Sequence, residues 1–251
     1  MSAGASSLRV VHVGLGQIGM RLARATASRR GLHSVAGVDP NPALQGSTLA
    51  ALCGAGDGEA AVYPRLADAL VAVGRCDVAF HAVGSELAAI EGQLLELLEA
   101  KLNVVTTAEE LIHPAERAPV IAARLDAVAK RNGVTLFAAG INPGFLMDRL
   151  PAYVTSVCTH VESIEVRRLV DLGARRPALR RKMGVGETLA AVQPRVESHA
   201  IGHVGLLDSL RYLAAELEWP LAEVSHTLAP VVADARVEKA GEVVAVGAVL
   251  G

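Results

Sequence analysis

The chain has 251 residues, 51% of them hydrophobic and 20% charged, which supplies a substantial core and exceeds what one domain of ~100 to 200 residues comfortably holds. Its 24 Lys plus Arg stand against 26 Asp plus Glu, a net charge of −2 that offers no positive field to a polyphosphate or an anionic bilayer, so nucleic acid is not an expected partner. No apolar run approaches the ~18 residues of a spanning helix, and the first seven residues lack a basic segment followed by an apolar one, so a cytoplasmic protein without membrane contact is expected.

Leu8 to Val13 is a short apolar run ending at glycines, and from Gln17 to about Arg30 the pattern turns helical, with Ile18, Leu22 and Ala25 on one face. Further strands are expected near Ser34 to Val38, Asp77 to Val83, Leu102 to Thr106 and Val134 to Ala138, separated by helical stretches such as Glu86 to Ala100 and Glu116 to Arg131. Strands without polar alternation suit a parallel sheet covered on both faces, so residues 1–142 read as a doubly wound α/β domain. After Gly140-Ile141-Asn142-Pro143-Gly144 a second domain, 143–251, is expected to open with a helix around Phe145 to Val157 and a strand over Ser163 to Arg167. Leu206, Leu207, Leu210, Leu213, Ala214 and Leu217 form a helical apolar stripe expected to be core, and the stretch Arg175 to Arg181 reads as a solvated face. Glu242 to Gly251 reads as a strand entering a turn with nothing after it to complete a sheet, which suggests a shortened chain. Cys53, Cys76 and Cys158 are odd in number and widely spaced, so they read as small buried hydrophobes.

Gly14-Leu15-Gly16-Gln17-Ile18-Gly19 matches G-x-G-x-x-G between a strand and a helix. There the first glycine permits the turn, the second lets backbone approach a pyrophosphate, and the third lets helix and strand pack closely. Asp39 closes the second strand, where a carboxylate can bond an adenosine ribose and repel a 2′-phosphate; this favours NAD over NADP. A turn aspartate in Asp39-Pro40-Asn41-Pro42 is the competing reading, and Arg65 is a candidate for accommodating NADP. Backbone at Ala82 and Val83, together with Thr106, is expected to line the cofactor, whereas His81 reads as a packed histidine. Glu109 and Glu110 arrive at the same sheet edge, where a carboxylate can take a proton from an ammonium group or activate water; alternatively, acids in a first helical turn serve the helix dipole. Asn142 sits before a rigid Pro-Gly and reads either as a group fixed beside nicotinamide or as a turn residue. His199 and His203 are four apart, but no H-E-x-x-H surrounds them and no metal is expected.

The segments Asn103 to Leu111, Gly140 to Asp148, Lys182 to Gly186 and Gly202 to Ser209 together resemble the 2,4-diaminopentanoate dehydrogenases and related NAD(P)-dependent amine dehydrogenases of the dihydrodipicolinate-reductase-like superfamily. The resemblance implies a Rossmann domain, a substrate and dimerisation domain forming a homodimer, and reversible oxidative deamination of a small amine to a carbonyl compound and ammonia. It implies catalysis at the Glu109-Glu110 pair, with Glu109 preferred because it aligns with the lysine of a similar segment in homoserine dehydrogenases. It also implies a substrate pocket at Asn142, Phe145 and His203. Ala108 departs from the pattern where many relatives carry cysteine. Two rivals stand beside this reading. One is a dihydrodipicolinate reductase, whose His-His-x-x-Lys-x-Asp-Ala-Pro-Ser-Gly segment is missing; the other is a non-catalytic nucleotide sensor.

Overall fold

The computed structural model describes residues 7–54, 58–174, 177–198, 200–201, 205–239 and 242–251. Strands β1 (Leu8–Val13), β2 (Leu32–Val38), β3 (Val62–Tyr63), β4 (Val78–His81), β5 (Asn103–Thr106) and β6 (Leu136–Ala138) form one sheet in the order β3-β2-β1-β4-β5-β6. Every pairing is parallel, which is the doubly wound Rossmann arrangement. Helices α1 (Gln17–Ala27), α2 (Leu49–Cys53), α3 (Leu66–Val73), α4 (Leu87–Glu99), α5 (Pro114–Arg117) and α6 (Pro119–Asn132) connect the strands.

The fold follows from where the apolar residues fall. Val10 and Val11 in β1 and Ala36 in β2 are fully buried, because a central parallel strand has no wet face. Leu87, Ile90, Leu94, Leu97 and Leu98 place the buried stripe of α4 at helical spacing, and it packs with Leu102, Val104 and Leu125. Burying each such leucine contributes roughly 1.5–3 kcal/mol before the entropic cost of ordering the chain.

The strands expected in this part are present: β1 spans its expected range, β2 starts two residues earlier, and β4, β5 and β6 are one to three residues shorter. Two short elements, α2 and β3, had no sequence signal, since β3 is a two-residue edge strand. The helix expected over Glu116 to Arg131 is broken at Ala118 (φ −142°, ψ 65°), because Pro119 disfavours helical backbone at the residue before it.

The second part contains α7 (Arg149–Thr155), α8 (Pro177–Lys182), α9 (Leu189–Glu197), α10 (Leu206–Glu216) and an antiparallel pair β7 (Val237–Lys239) and β8 (Glu242–Val244). Four expectations there need correction. The helix expected from Phe145 begins at Arg149, where the Asp148 side chain accepts from the Arg149 N–H; turns occupy the residues before it. Ser163 to Arg167 alternates in burial as a strand would, yet it forms no ladder with another strand among the described residues. Arg180 is buried rather than solvated, donating from Nη1 to Gly173 O at 3.1 Å. Cys53 and Cys76 are buried as expected, but Cys158 is exposed.

At the β6 edge, Arg149 Nη1 donates to Ala138 O at 2.6 Å and to Gly144 O at 2.9 Å, and its guanidinium lies 4.3 Å from the Phe137 ring centroid.

Candidate active site

The glycine turn after β1 has the steric demands that its three positions lead one to expect. Gly14 takes φ +83°, and a Cβ there would lie 2.7 Å from Ala82 O. A Cβ on Gly19 would lie 1.8 Å from Gly14 O, so α1 can seat against β1 only without a side chain. Gly16, by contrast, has nothing within 4 Å of the same point and is exposed at the start of α1. That open approach to the N-terminus of α1 fits a pyrophosphate.

Beside this turn lies a cleft of about 640 Å³, lined by Gly14, Gly16, Asp39, Ala82 and Val83 together with Pro40, Pro64, Arg65, Gln93 and Glu96. Asp39 accepts from Leu15 N at 2.8 Å through Oδ2 and from Asn41 N at 2.9 Å through Oδ1. The turn role and the place at the cleft are therefore held by one carboxylate, and each oxygen keeps a further lone pair for a ribose hydroxyl. Gln17 and Ile18 are exposed in the first turn of α1, outside the cleft lining.

Thr106 departs from its expected place. It is fully buried, and its hydroxyl meets His81 Nδ1 at 2.9 Å and the Ala108 N–H at 3.1 Å, so its side chain holds the turn after β5 and does not line the cleft. His81 is packed as expected, with Nε2 3.1 Å from Gln93 Oε1. Burial holds its imidazole below the ordinary range, against a smaller opposing effect of the Gln93 hydrogen bond.

The two glutamates have different environments. Both start the single-turn 3₁₀ helix Glu109–Leu111 after β5. Glu110 accepts from Leu87 N at 2.8 Å, satisfying an N–H in the first turn of α4, and from Arg117 Nη2 at 2.6 Å. Its side chain is 13% exposed and both oxygens are committed to structure. Glu109 is half-buried and faces the second part of the chain: a Cβ built on Gly205 would lie 3.4 Å from Glu109 Cβ and 2.7 Å from Pro143 Cγ. Gly205 has φ +81°, so it meets both steric and conformational conditions only as glycine. Three distant segments thus converge: the turn after β5, the loop after β6 and the start of α10.

The loop after β6 is held from inside. Asn142-Pro143 is cis, and Gly140 and Gly144 approach so closely that a Cβ on Gly144 would lie 2.5 Å from Gly140 N. Fully buried Asp148 accepts from Gly144 N and from the Ser209 hydroxyl, each at 2.8 Å. Asn142 is half-buried and Phe145 is 49% exposed on this loop, while His203 and His199 lie outside the described residues. Among the described residues no group of three or more His, Cys, Asp or Glu is arranged to hold a metal ion.

The α10 face that turns inward is polar, which the leucine pattern did not suggest. Asp208 and Ser209 are buried with Leu213 and Ala214, whereas Leu210 is 44% exposed. Asp208 Oδ2 accepts from Arg117 Nη1 at 3.0 Å, so Arg117 bridges Glu110 and Asp208. The signal was the Asp-Ser pair set one helical turn before Leu213 and Ala214.

Residues 145–251 match the family model described as the 2,4-diaminopentanoate dehydrogenase C-terminal domain. The chain is 30% identical over 230 residues to the 2,4-diaminopentanoate dehydrogenase of Acetoanaerobium sticklandii, covering 90% of this chain and 65% of that protein. It therefore spans about two-thirds of the length of that relative. A solved amine dehydrogenase from Mycobacterium smegmatis superposes with a TM-score of 0.75 at 25% identity, covering 99% of this chain and 73% of that one.

Proposed function

From a chain whose residues 145–251 match the family model of the 2,4-diaminopentanoate dehydrogenase C-terminal domain, we propose a nicotinamide-dependent oxidoreductase that reversibly converts a small amine to a carbonyl compound and ammonia. The observation that carries this reading is the position of Glu109, packed beside Pro143 and Gly205 at the sheet edge that also bears the dinucleotide cleft.

Residues Gly14 to Gly19 and Asp39 would hold the cofactor. The open approach at Gly16 and the place of Asp39 in the lining of the adjoining cleft fit it, and the carboxylate favours NAD over NADP by repelling a 2′-phosphate. When bound, the nicotinamide accepts the hydride from the amine-bearing carbon.

Glu109 supplies the proton chemistry. Its carboxylate takes a proton from the substrate ammonium before oxidation. Having released that proton to solvent, it takes one from the water that adds to the iminium carbon and gives it to the nitrogen as ammonia departs, and the hydroxyl proton of the carbinolamine returns to the carboxylate as the carbonyl forms. A carboxylate also offsets the positive charge of the iminium. Glu110 supports this from behind, fixing α4 and Arg117. Asn142 and Phe145 shape the substrate pocket, joined by His203, and residues 143–251 form the substrate and dimerisation domain of a cytoplasmic homodimer.

Steady-state reduction of NAD⁺ and NADP⁺ in the presence of a panel of small amines and diamines tests the reading. Amine-dependent formation of reduced cofactor with stoichiometric ammonia is the expected result. Tight dinucleotide binding with no turnover on any amine, and none in the reductive direction with ketones and ammonia, would leave a nucleotide sensor instead.

A further inference from the structure

The dinucleotide cleft carries an arginine whose geometry and surroundings do not suit a phosphate. Arg65 stands at the start of α3 and is bound by Asp68 through two parallel hydrogen bonds, Nε to Oδ2 at 2.9 Å and Nη2 to Oδ1 at 2.8 Å. The pair fixes the guanidinium plane and meets most of its charge, although the arginine side chain remains 75% exposed. The other ionisable residues lining the cleft, among the described ones, are Asp39 and Glu96. A 2′-phosphate entering here would face two carboxylates in the cleft, and would have to displace a third from Arg65 before meeting a positive charge. A flat, neutral, π-rich base meets no such penalty. It would be bordered by the apolar Pro40, Pro64, Ala67 and Leu97 of the same cleft.

We infer that Arg65, braced by Asp68, is a stacking platform for the adenine of the dinucleotide, and that discrimination against a 2′-phosphate is left to Asp39. The assignment rests on the dinucleotide reading above and deepens it. Guanidinium stacking on a π face needs the plane of the group as well as its charge, so lysine is no substitute.

Calorimetric titration of the full chain with NADH, NADPH and ADP-ribose, comparing wild type with Arg65→Ala, Arg65→Lys and Asp39→Ala, tests this. Both Arg65 variants are expected to weaken all three ligands by a common factor, roughly three- to thirty-fold, with the unfolding temperature unchanged. ADP-ribose lacks nicotinamide, so an equal loss places the effect on the adenosine half. Asp39→Ala is expected instead to alter the ratio of NADH to NADPH affinity. Selective loss of NADPH in Arg65→Ala would make Arg65 a phosphate clamp and overturn the inference, as would full affinity in Arg65→Lys or unchanged binding in both variants. If the expected binding losses appear but no amine is oxidised, the amine reading alone fails. If amines are oxidised and the Arg65 variants bind like wild type, the stacking platform alone fails.

Discussion

Arg117 donates from Nη1 to Oδ2 of Asp208 at 3.0 Å, and the carboxylate it meets has no exposure to solvent. Removing that partner would leave the carboxylate uncompensated away from water, which is costly. The second cation near it, Arg211, has Nη1 3.8 Å from Oδ1, beyond hydrogen-bond range.

Arg117→Ala should therefore destabilise the fold by roughly 1–3 kcal/mol, less than for a wholly buried pair, because the Arg117 side chain is 38% exposed. Asp208→Asn, which removes the charge but keeps the shape, should cost markedly less. Urea unfolding of both variants checks this; equal losses would show that the ion pair has no special standing. Because Arg117 also holds Glu110, a double-mutant cycle with Glu110→Gln should give non-additive energies.

The neighbouring glutamates should separate by readout. Glu109→Gln is expected to lower kcat/KM for amine oxidation by ~10² to 10⁴ with little change in stability, as for a positioned acid or base. Glu110→Ala is expected to lose roughly 1–2 kcal/mol of stability, since it deprives Leu87 N of its acceptor and Arg117 of a partner, while its kcat falls much less. Kinetics and thermal unfolding on the same two proteins decide the assignment. If Glu110→Ala were folded but inactive while Glu109→Gln kept its activity, the roles would be reversed.

Two glycines of one turn should likewise respond in opposite ways. Gly16→Val places its side chain in open space, so the fold should survive while dinucleotide binding is lost. Gly19→Ala puts a carbon 1.8 Å from Gly14 O, so the protein should express poorly or unfold early. Calorimetric binding for the first and circular dichroism for the second are sufficient measurements.

A pH dependence follows from His12 in the middle of β1. Its ring is 1% exposed, Nε2 lies 3.0 Å from Ser34 Oγ, and burial lowers its pKa from 6.5 to about 4. A lowered histidine pKa means that the unfolded chain binds the proton more readily. Stability is full above pH 6.5 and falls as the pH drops from 6.5 towards 4, by roughly 3 kcal/mol for a site shifted this far. His81 is shifted the same way and adds to the slope. Unfolding free energy measured against pH should show this loss, and His12→Gln should flatten part of it. Unchanged slope in that variant would place the acid sensitivity elsewhere.

The sheet was readable because its central strands are continuous apolar runs and its first turn has a motif with a steric meaning at each glycine. The steric demands at Gly14 and Gly19 and the packed state of His81 matched the sequence reading for that reason. The second part was less readable. Its helices are short, its stretch at 163–167 has strand-like composition but no ladder among the described residues, and the buried face of α10 carries Asp208 and Ser209 where leucines set the expectation. Thr106 was misplaced because a strand-end position does not say which way a side chain turns; His81 and the Ala108 N–H draw the hydroxyl inward. The Glu110–Arg117–Asp208 bridge had no local signature, since it joins residues 91 apart. Such pairs are set by tertiary packing, not by spacing.

The last strand of the sheet ends in a side chain rather than in solvent. Along β6, Thr135 O and Ala139 N bond towards β5, so the Ala138 carbonyl, alternate in the pleat, points to the open side. Arg149 occupies that carbonyl and stacks on Phe137 next to it. A strand from another molecule approaching this edge would find its first acceptor already taken and a fixed positive charge in its path, which is how natural sheets forbid uncontrolled growth. Arg149 therefore acts as a terminator of the sheet, making chain-to-chain polymerisation along β6 unfavourable while the glycine loop it also holds stays in register.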